Sequence, residues 1–173
     1  MKILIHSLIL LSSLFLFSCN NEDRIEAICT FNVGFNLDAR QPILNTLEFT
    51  STNPVTYASS ASTSFFDMSS SEHLASMYFI KTDTNQWDVY FYENDMAFDI
   101  TDGFTGANQQ LLGRLTFDTQ GVLESISPEE LISEDLIFDD KDYIHKLRFD
   151  FTYLTTQSDS GFAVTMGDVG CSA

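Results

Sequence analysis

Few side chains in this sequence are suited to chemistry. Only two histidines lie beyond the apolar N-terminal run, His73 and His145. Neither sits in a Ser or Cys pattern that would make a nucleophile relay. The chain contains no G-x-S-x-G elbow, no H-E-x-x-H and no C-x-x-C pair. His73 is expected in a hairpin turn, and His145 at a surface or edge position where a strand begins. The acidic group Glu134, Asp135, Asp139, Asp140 and Asp142 is the best candidate for a metal. Calcium loops converge several oxygens and use a Gly at the sharp turn. That Gly is missing, so a solvated acidic loop is the expectation, with no metal and no cofactor. Paired carboxylates for acid–base work are not revealed by spacing in a β fold. The expectation is therefore a protein that is not an enzyme. Cys29 and Cys171 remain, one near each end of the prospective domain. The alternatives for them are a disulfide or two separate buried thiols.

The N-terminus decides between compartments. Met1-Lys2 is followed by an apolar run from Ile3 to Phe17, ending Leu16-Phe17-Ser18-Cys19. A helix of that run would span roughly 22 Å at about 1.5 Å per residue. A hydrocarbon core is roughly 30 Å thick. The pattern is that of a secretory signal, with a charged start, an apolar middle and a small residue before the cut. Leu16 to Cys19 resembles the lipobox of bacterial lipoproteins, which implies lipidation at Cys19. Asn20-Asn21-Glu22-Asp23 then reads as a polar tether, and by resemblance to enterobacterial lipoprotein sorting, Asn after the cysteine favours the outer membrane. Acyl chains anchor physically, each buried methylene contributing about 0.8 kcal/mol. The expected division is 1–18 signal peptide, 19–27 lipidated tether and 28–173 domain, facing the periplasm or the cell surface. Export favours pairing of Cys29 with Cys171, since that compartment is oxidising.

About 155 residues then remain, one domain able to bury its own core. The net charge is −17, and losing Lys2 makes it one unit more negative. Such a charge argues against nucleic acid and anionic headgroups as partners and favours a basic or neutral surface. With 16 Phe, 6 Tyr and 1 Trp, core material is ample.

Period-two alternation dominates the elements that must position these residues. Cys29, Phe31, Val33, Phe35 and Leu37 are apolar at every second place. So are Trp87, Val89 and Phe91, then Leu147, Phe149, Phe151 and Tyr153, and more briefly Phe162, Val164 and Met166. Such alternation marks strands with one face on a core. Leu74–Lys81 and Leu111–Phe117 are rich in strand formers. Thr82–Asn85, Asp102-Gly103 and Thr119-Gln120-Gly121 are turn signals. Residues 38–61 read as an extended, loop-rich stretch. Pro128–Ile132 alone looks helical, with Ser127 as N-cap. The expected fold is all-β, a single antiparallel barrel or sandwich with at most one short helix, preceded by the signal-peptide helix.

An ordered series of segments is the most informative feature. It runs Asn36-Leu37-Asp38, Phe65-Phe66-Asp67-Met68-Ser69, Met77-Tyr78-Phe79-Ile80-Lys81 and Asn85-Gln86-Trp87-Asp88-Val89-Tyr90. Leu115-Thr116-Phe117-Asp118-Thr119-Gln120-Gly121 and Thr156-Gln157 follow. The series resembles the middle, surface-exposed β domain of the bacterial flagellar hook protein. The resemblance implies structural roles for Asp67, Trp87, Gly121 and Gln157. Trp87 would anchor the core, Gly121 would supply a positive φ in a hairpin, and Asp67 would bond back to its turn. Departures count as well. The family's turn Gly is Ser70 here, and its late Asp-Gly-Tyr is replaced by Asp168-Val169-Gly170-Cys171. The long terminal helices of hook subunits are not expected, so polymerisation is not carried over. A Cys29–Cys171 bridge would then clamp the entry and exit strands.

The functional expectation is a non-enzymatic envelope lipoprotein with a scaffolding role at the flagellum. Its partners would be the membrane, through the lipid, and basal-body or hook-associated proteins. The alternative is a general surface or periplasmic binding lipoprotein unrelated to motility. An exposed patch of Tyr57, Tyr90 and Tyr92 would favour that alternative.

Overall fold

The computed structural model describes residues 24–99, 103–104, 111–133, 138, 142–152 and 155–173. The signal segment, Cys19 and the tether up to residue 23 lie outside the described residues, as do Tyr153 and the acidic group apart from Asp142. In chain order the strands are β1 (Ile25–Asp38), β2 (Ser59–Phe66), β3 (Glu72–Asp83), β4 (Gln86–Glu93), β5 (Met96–Asp99) and β6 (Gly103–Phe104). They continue with β7 (Leu111–Phe117), β8 (Leu123–Ser127), β9 (Leu131–Ile132), β10 (Tyr143–Asp150), β11 (Thr156–Ser158) and β12 (Ala163–Ser172). A single 3-10 turn, Thr46–Glu48, is the only helical element among the described residues. The protein is thus all-β.

Two sheets face each other. One has seven strands, with β2-β3-β4-β5-β6 in a row and β7 and β8 joined through β4. Every pairing in it is antiparallel. The other has five strands arranged around β1. There β12 pairs antiparallel with β1, whereas β10 and β11 pair parallel with it. The parallel pairings follow from the path. Between β1 and β10 the chain builds the whole seven-stranded sheet, a crossover long enough to return in the same direction.

The core lies between the sheets. Phe31, Phe35 and Leu37 of β1 meet Phe79 of β3, Trp87 and Phe91 of β4 and Phe149 of β10, all buried. Phe31 packs edge-on to Phe65 at 5.1 Å and stacks on Phe149 at 5.1 Å. Each fully buried Phe of this kind contributes about 1.5–3 kcal/mol. Phe31, Phe35, Leu37, Trp87, Phe91 and Phe149 are among the side chains whose alternation was visible in the sequence.

Strand β4 is buried on both faces. Residues 39–58 fold over the outer side of the seven-stranded sheet and place Phe49 against Tyr90 at 4.5 Å, with Ile80, Tyr92 and Ala97 in the same cluster. Tyr90 and Tyr92 are therefore buried, not part of an exposed patch. Burial pushes the Tyr90 hydroxyl up to about 12, and raises those of Tyr78 and Tyr92 as well. Below about pH 10 these phenols are protonated in both folded and unfolded chains. Above it the unfolded chain loses protons that the folded one keeps, so stability falls from about pH 10 to 12. Melting curves across that window, read beside tyrosinate absorbance, should show the decline. A melting temperature flat to pH 12 would contradict it.

Three expectations are corrected. Pro128–Ile132 is not helical: Ser127 ends β8 opposite Arg114, residues 128–129 bend, and Leu131 pairs with Phe149. Five residues make barely one helical turn, and nucleating it is unfavourable, whereas Leu131 gains a buried place in the core. His73 lies inside β3, not in a turn, and His145 lies fully buried inside β10, not at the surface.

Candidate functional site

The first polar cluster joins the β3–β4 and β7–β8 hairpins to β11. Trp87 enters the core from β4, and its Nε1 donates to Gln157 Oε1 at 2.5 Å. The Gln157 amide nitrogen donates in turn to Thr84 O and Asn85 Oδ1, each at 3.2 Å. Thr84 and Asn85 form the β3–β4 turn, and Asn85 O accepts from Phe117 N at 2.9 Å. The Gln157 backbone N–H donates to Gly121 O at 2.8 Å, beside a bridge from Val122 to Thr156. Gly121 has φ +78°, and a Cβ built on it would lie 1.9 Å from Gln157 O. Asp118 Oδ1 shapes that hairpin by accepting from Gln120 N and Val122 N. Here Trp87, Gly121 and Gln157, scattered in sequence, meet where the two sheets join.

Next to it, Asn36 organises the β11–β12 connection. Its side chain donates to Ser160 Oγ and Gly161 O and accepts from Thr156 Oγ1 and Ser158 Oγ. Arg40 grips Asp38 through Nε and Nη2, each at 2.8 Å, and also donates its backbone N–H. Those bonds from Arg40 hold the Asp38 carboxyl down at about 2. Whatever stability this contributes is present above about pH 4 and is lost as pH falls toward 2. Buried Lys81 donates to Ala39 O and sits 6.0 Å from the Trp87 ring centroid.

Trp87→Phe removes the indole donor while keeping an aromatic ring in the core. Gln157 Oε1 then loses its partner in a buried setting. The expected cost is about 1–3 kcal/mol, measurable by urea unfolding. A cost near zero would mean that water replaces the bond.

The second cluster is Asp67, His73 and Glu93. His73 Nδ1 lies 2.7 Å from Glu93 Oε1 and Nε2 lies 3.1 Å from Asp67 Oδ2. The ring stacks on Phe65 at 5.0 Å and lies 4.4 Å from Phe138. A neutral imidazole has one N–H. Satisfying both contacts takes the doubly protonated ring or one protonated carboxyl. Burial pushes the Asp67 carboxyl up, but the Ser71 N–H, His73 and the Ser69 N–H outweigh it and hold it below the ordinary value. Asp67 Oδ1 accepts from Ser69 N and Ser71 N, closing the β2–β3 turn. Glu93 also accepts from Asn94 Nδ2. The arrangement fastens a turn to two strands, with each polar group committed to a neighbour.

Ser70 in that turn has φ +65°, the left-handed region that glycine adopts at least cost. Ser70→Gly is expected to stabilise the protein by about 1 kcal/mol. Unchanged or lower stability in denaturant titration would show that the Ser70 side chain compensates for its backbone.

Alternation placed Trp87 on a core-facing strand and turn chemistry placed Gly121 in a turn, whereas Asp67 and Gln157 were reached only through the hook-protein resemblance. Sequence reasoning missed His73–Glu93 and the Asn36 network. A polar residue at an inward strand position was the available signal, as His73 follows Phe65 and Asp67 in facing the interior. Among the described residues, no three or more His, Cys, Asp or Glu side chains are placed to hold a metal ion.

Fold and clusters together define an all-β module whose buried polar side chains fasten hairpins to one another rather than converge on a cleft. Residues 36–168 match the family model described as the flagellar basal body protein FlaE D2 domain. The chain belongs to that family, the middle domain of flagellar hook proteins. Among solved structures, it is similar to a 32 kDa fragment of the flagellar hook protein FlgE from Caulobacter crescentus, at 13% identity and TM-score 0.45. The alignment covers 72% of this chain and 52% of that one, so the chain spans about half the fragment's length. No curated protein matches the chain.

Proposed function

We propose that this protein is a non-enzymatic, lipid-tethered scaffold of the bacterial envelope that serves at the flagellum. The observation that carries the reading is the hook-type domain over residues 36–168. The sequence Leu16-Phe17-Ser18-Cys19 supports lipidation at Cys19, and Asn20 supports the outer membrane. The polar clusters support a structural role, since their side chains hold strands together. Basal-body or hook-associated proteins are the proposed partners. The alternative of a general binding lipoprotein loses its anticipated support, because Tyr90 and Tyr92 are buried beneath Phe49.

Deletion of the gene, with swimming measured and isolated hook–basal bodies probed for the protein, tests the role. Weakened swimming with the protein in basal bodies is the expected result. Normal swimming, with the protein spread through the membrane fraction, would overturn the flagellar role and leave the family intact. Labelled fatty acid should enter the wild type and not Cys19→Ala.

A further inference from the structure

The two sheets meet at the Val122–Thr156 bridge. Between β8 and the side chains of Thr152 and Thr155 lies a groove of about 500 Å³, lined also by Leu123, Glu124, Ile126 and Glu129. A second hollow of about 250 Å³, bordered by Glu130 and Asp150, shares Ile126, Glu129 and Thr152 with it. We propose that this groove binds an extended segment of a partner protein in which basic and apolar residues alternate, added as a strand to the open edge of β8.

Three observations carry this. First, β8 pairs with β7 along one edge only, and among the described residues no strand pairs with its other edge beyond the Val122 bridge. An open edge is a template for another strand, and main-chain bonds then give affinity while alternate side chains give choice. Second, the groove is apolar below. Leu123 and Ile126 are half-buried against the core, and Val122 at its end is 56% exposed. Third, its walls are acidic. Glu124, Glu129 and Glu130 are in no ion pair among the described residues, whereas Arg40, Arg114 and Lys146 are engaged by Asp38, Asp88 and Glu26. Among the described residues, Arg148 is the one cation bordering the second hollow. A second copy of this chain would bring like charges together, and that charge is −17 overall. The charge therefore selects a basic partner over self-pairing. The inference stands apart from the flagellar role and fails or holds independently of it.

The test is calorimetric titration of the protein with a ten-residue peptide alternating lysine and valine. A glutamate–valine peptide and a lysine–valine peptide N-methylated at alternate residues serve as comparisons. Binding of the first alone is expected, weakening as salt rises, with amide shifts concentrated on Leu123–Ser127. Glu124→Lys with Glu129→Lys should weaken it by about tenfold or more while leaving the melting temperature unchanged, since Glu124 and Glu129 are exposed. Absent binding would overturn the proposal. So would equal binding of the N-methylated peptide, which would mean adsorption by charge alone, or shifts elsewhere on the surface. A concentration-dependent dimer with shifts on β8 would assign the groove to a second copy and overturn it too.

Discussion

Gly121→Ala should destabilise the protein by about 4 kcal/mol or more, at the severe end for single substitutions. Two independent penalties act at one atom. The backbone there is left-handed, at φ +78°, which costs an L-residue roughly 1–2 kcal/mol. The new Cβ would also stand 1.9 Å from Gln157 O, and backbone cannot give way as a flexible side-chain end can. Relief requires β11 to move, which breaks the Gln157 N–H bond to Gly121 O and draws Gln157 off Trp87. For a domain of this size the melting temperature should fall by roughly 8–16 °C, at about 2–4 °C per kcal/mol. A fall of a degree or two would mean that β11 is not held by this junction. Gly161 supplies a control, because its φ is also positive, at +90°, but a Cβ there would meet only Arg40 Nη2 at 3.9 Å. Gly161→Ala should therefore cost the conformational part alone.

The second large effect belongs to the Cys29–Cys171 disulfide, which joins β1 to β12 across a sequence separation of 142. The two cysteines are register partners in the antiparallel β1–β12 pair. Crosslinking residues so distant removes a great deal of freedom from the unfolded chain. Chain-entropy arithmetic puts the upper bound at about 5 kcal/mol. Cys29→Ser should lower the melting temperature at least as much as reductant lowers that of the wild type, and reductant should then do nothing further to the variant. Cys29 is buried in the core, so the variant also leaves a hydroxyl in apolar surroundings and should fall slightly below the reduced wild type. Equal melting temperatures for oxidised wild type and variant would show that β1–β12 pairing holds the ends without the bond.

What the sequence made legible follows from physics that repeats along the chain. Strands β1, β4 and β10 each bury one face on the shared core, and burial of one face writes apolar residues at every second position. Register and partner are not written that way. The parallel return of β10 beside β1 depends on everything folded between them. Tyr90 and Tyr92 read as the outer face of a strand, and so they are. Their burial comes from Phe49, about forty residues earlier, in a stretch whose polar composition spoke only of loop. His73 misled because turn residues surround it, although its own position faces inward between two carboxylates. The Trp87–Gln157 bond, seventy residues apart, leaves no local trace. Only the likeness to an existing family put both residues on one page.

The same crosslink has a mechanical meaning. Strand β1 lies inside its sheet, with β12 on one side and β10 on the other. A pull arriving from the N-terminal side enters at Ile25 and can detach only the residues before Cys29. Beyond that point the load passes through a covalent bond into β12. Tension is thereby shared between the first and last strands before any aromatic of the core is disturbed.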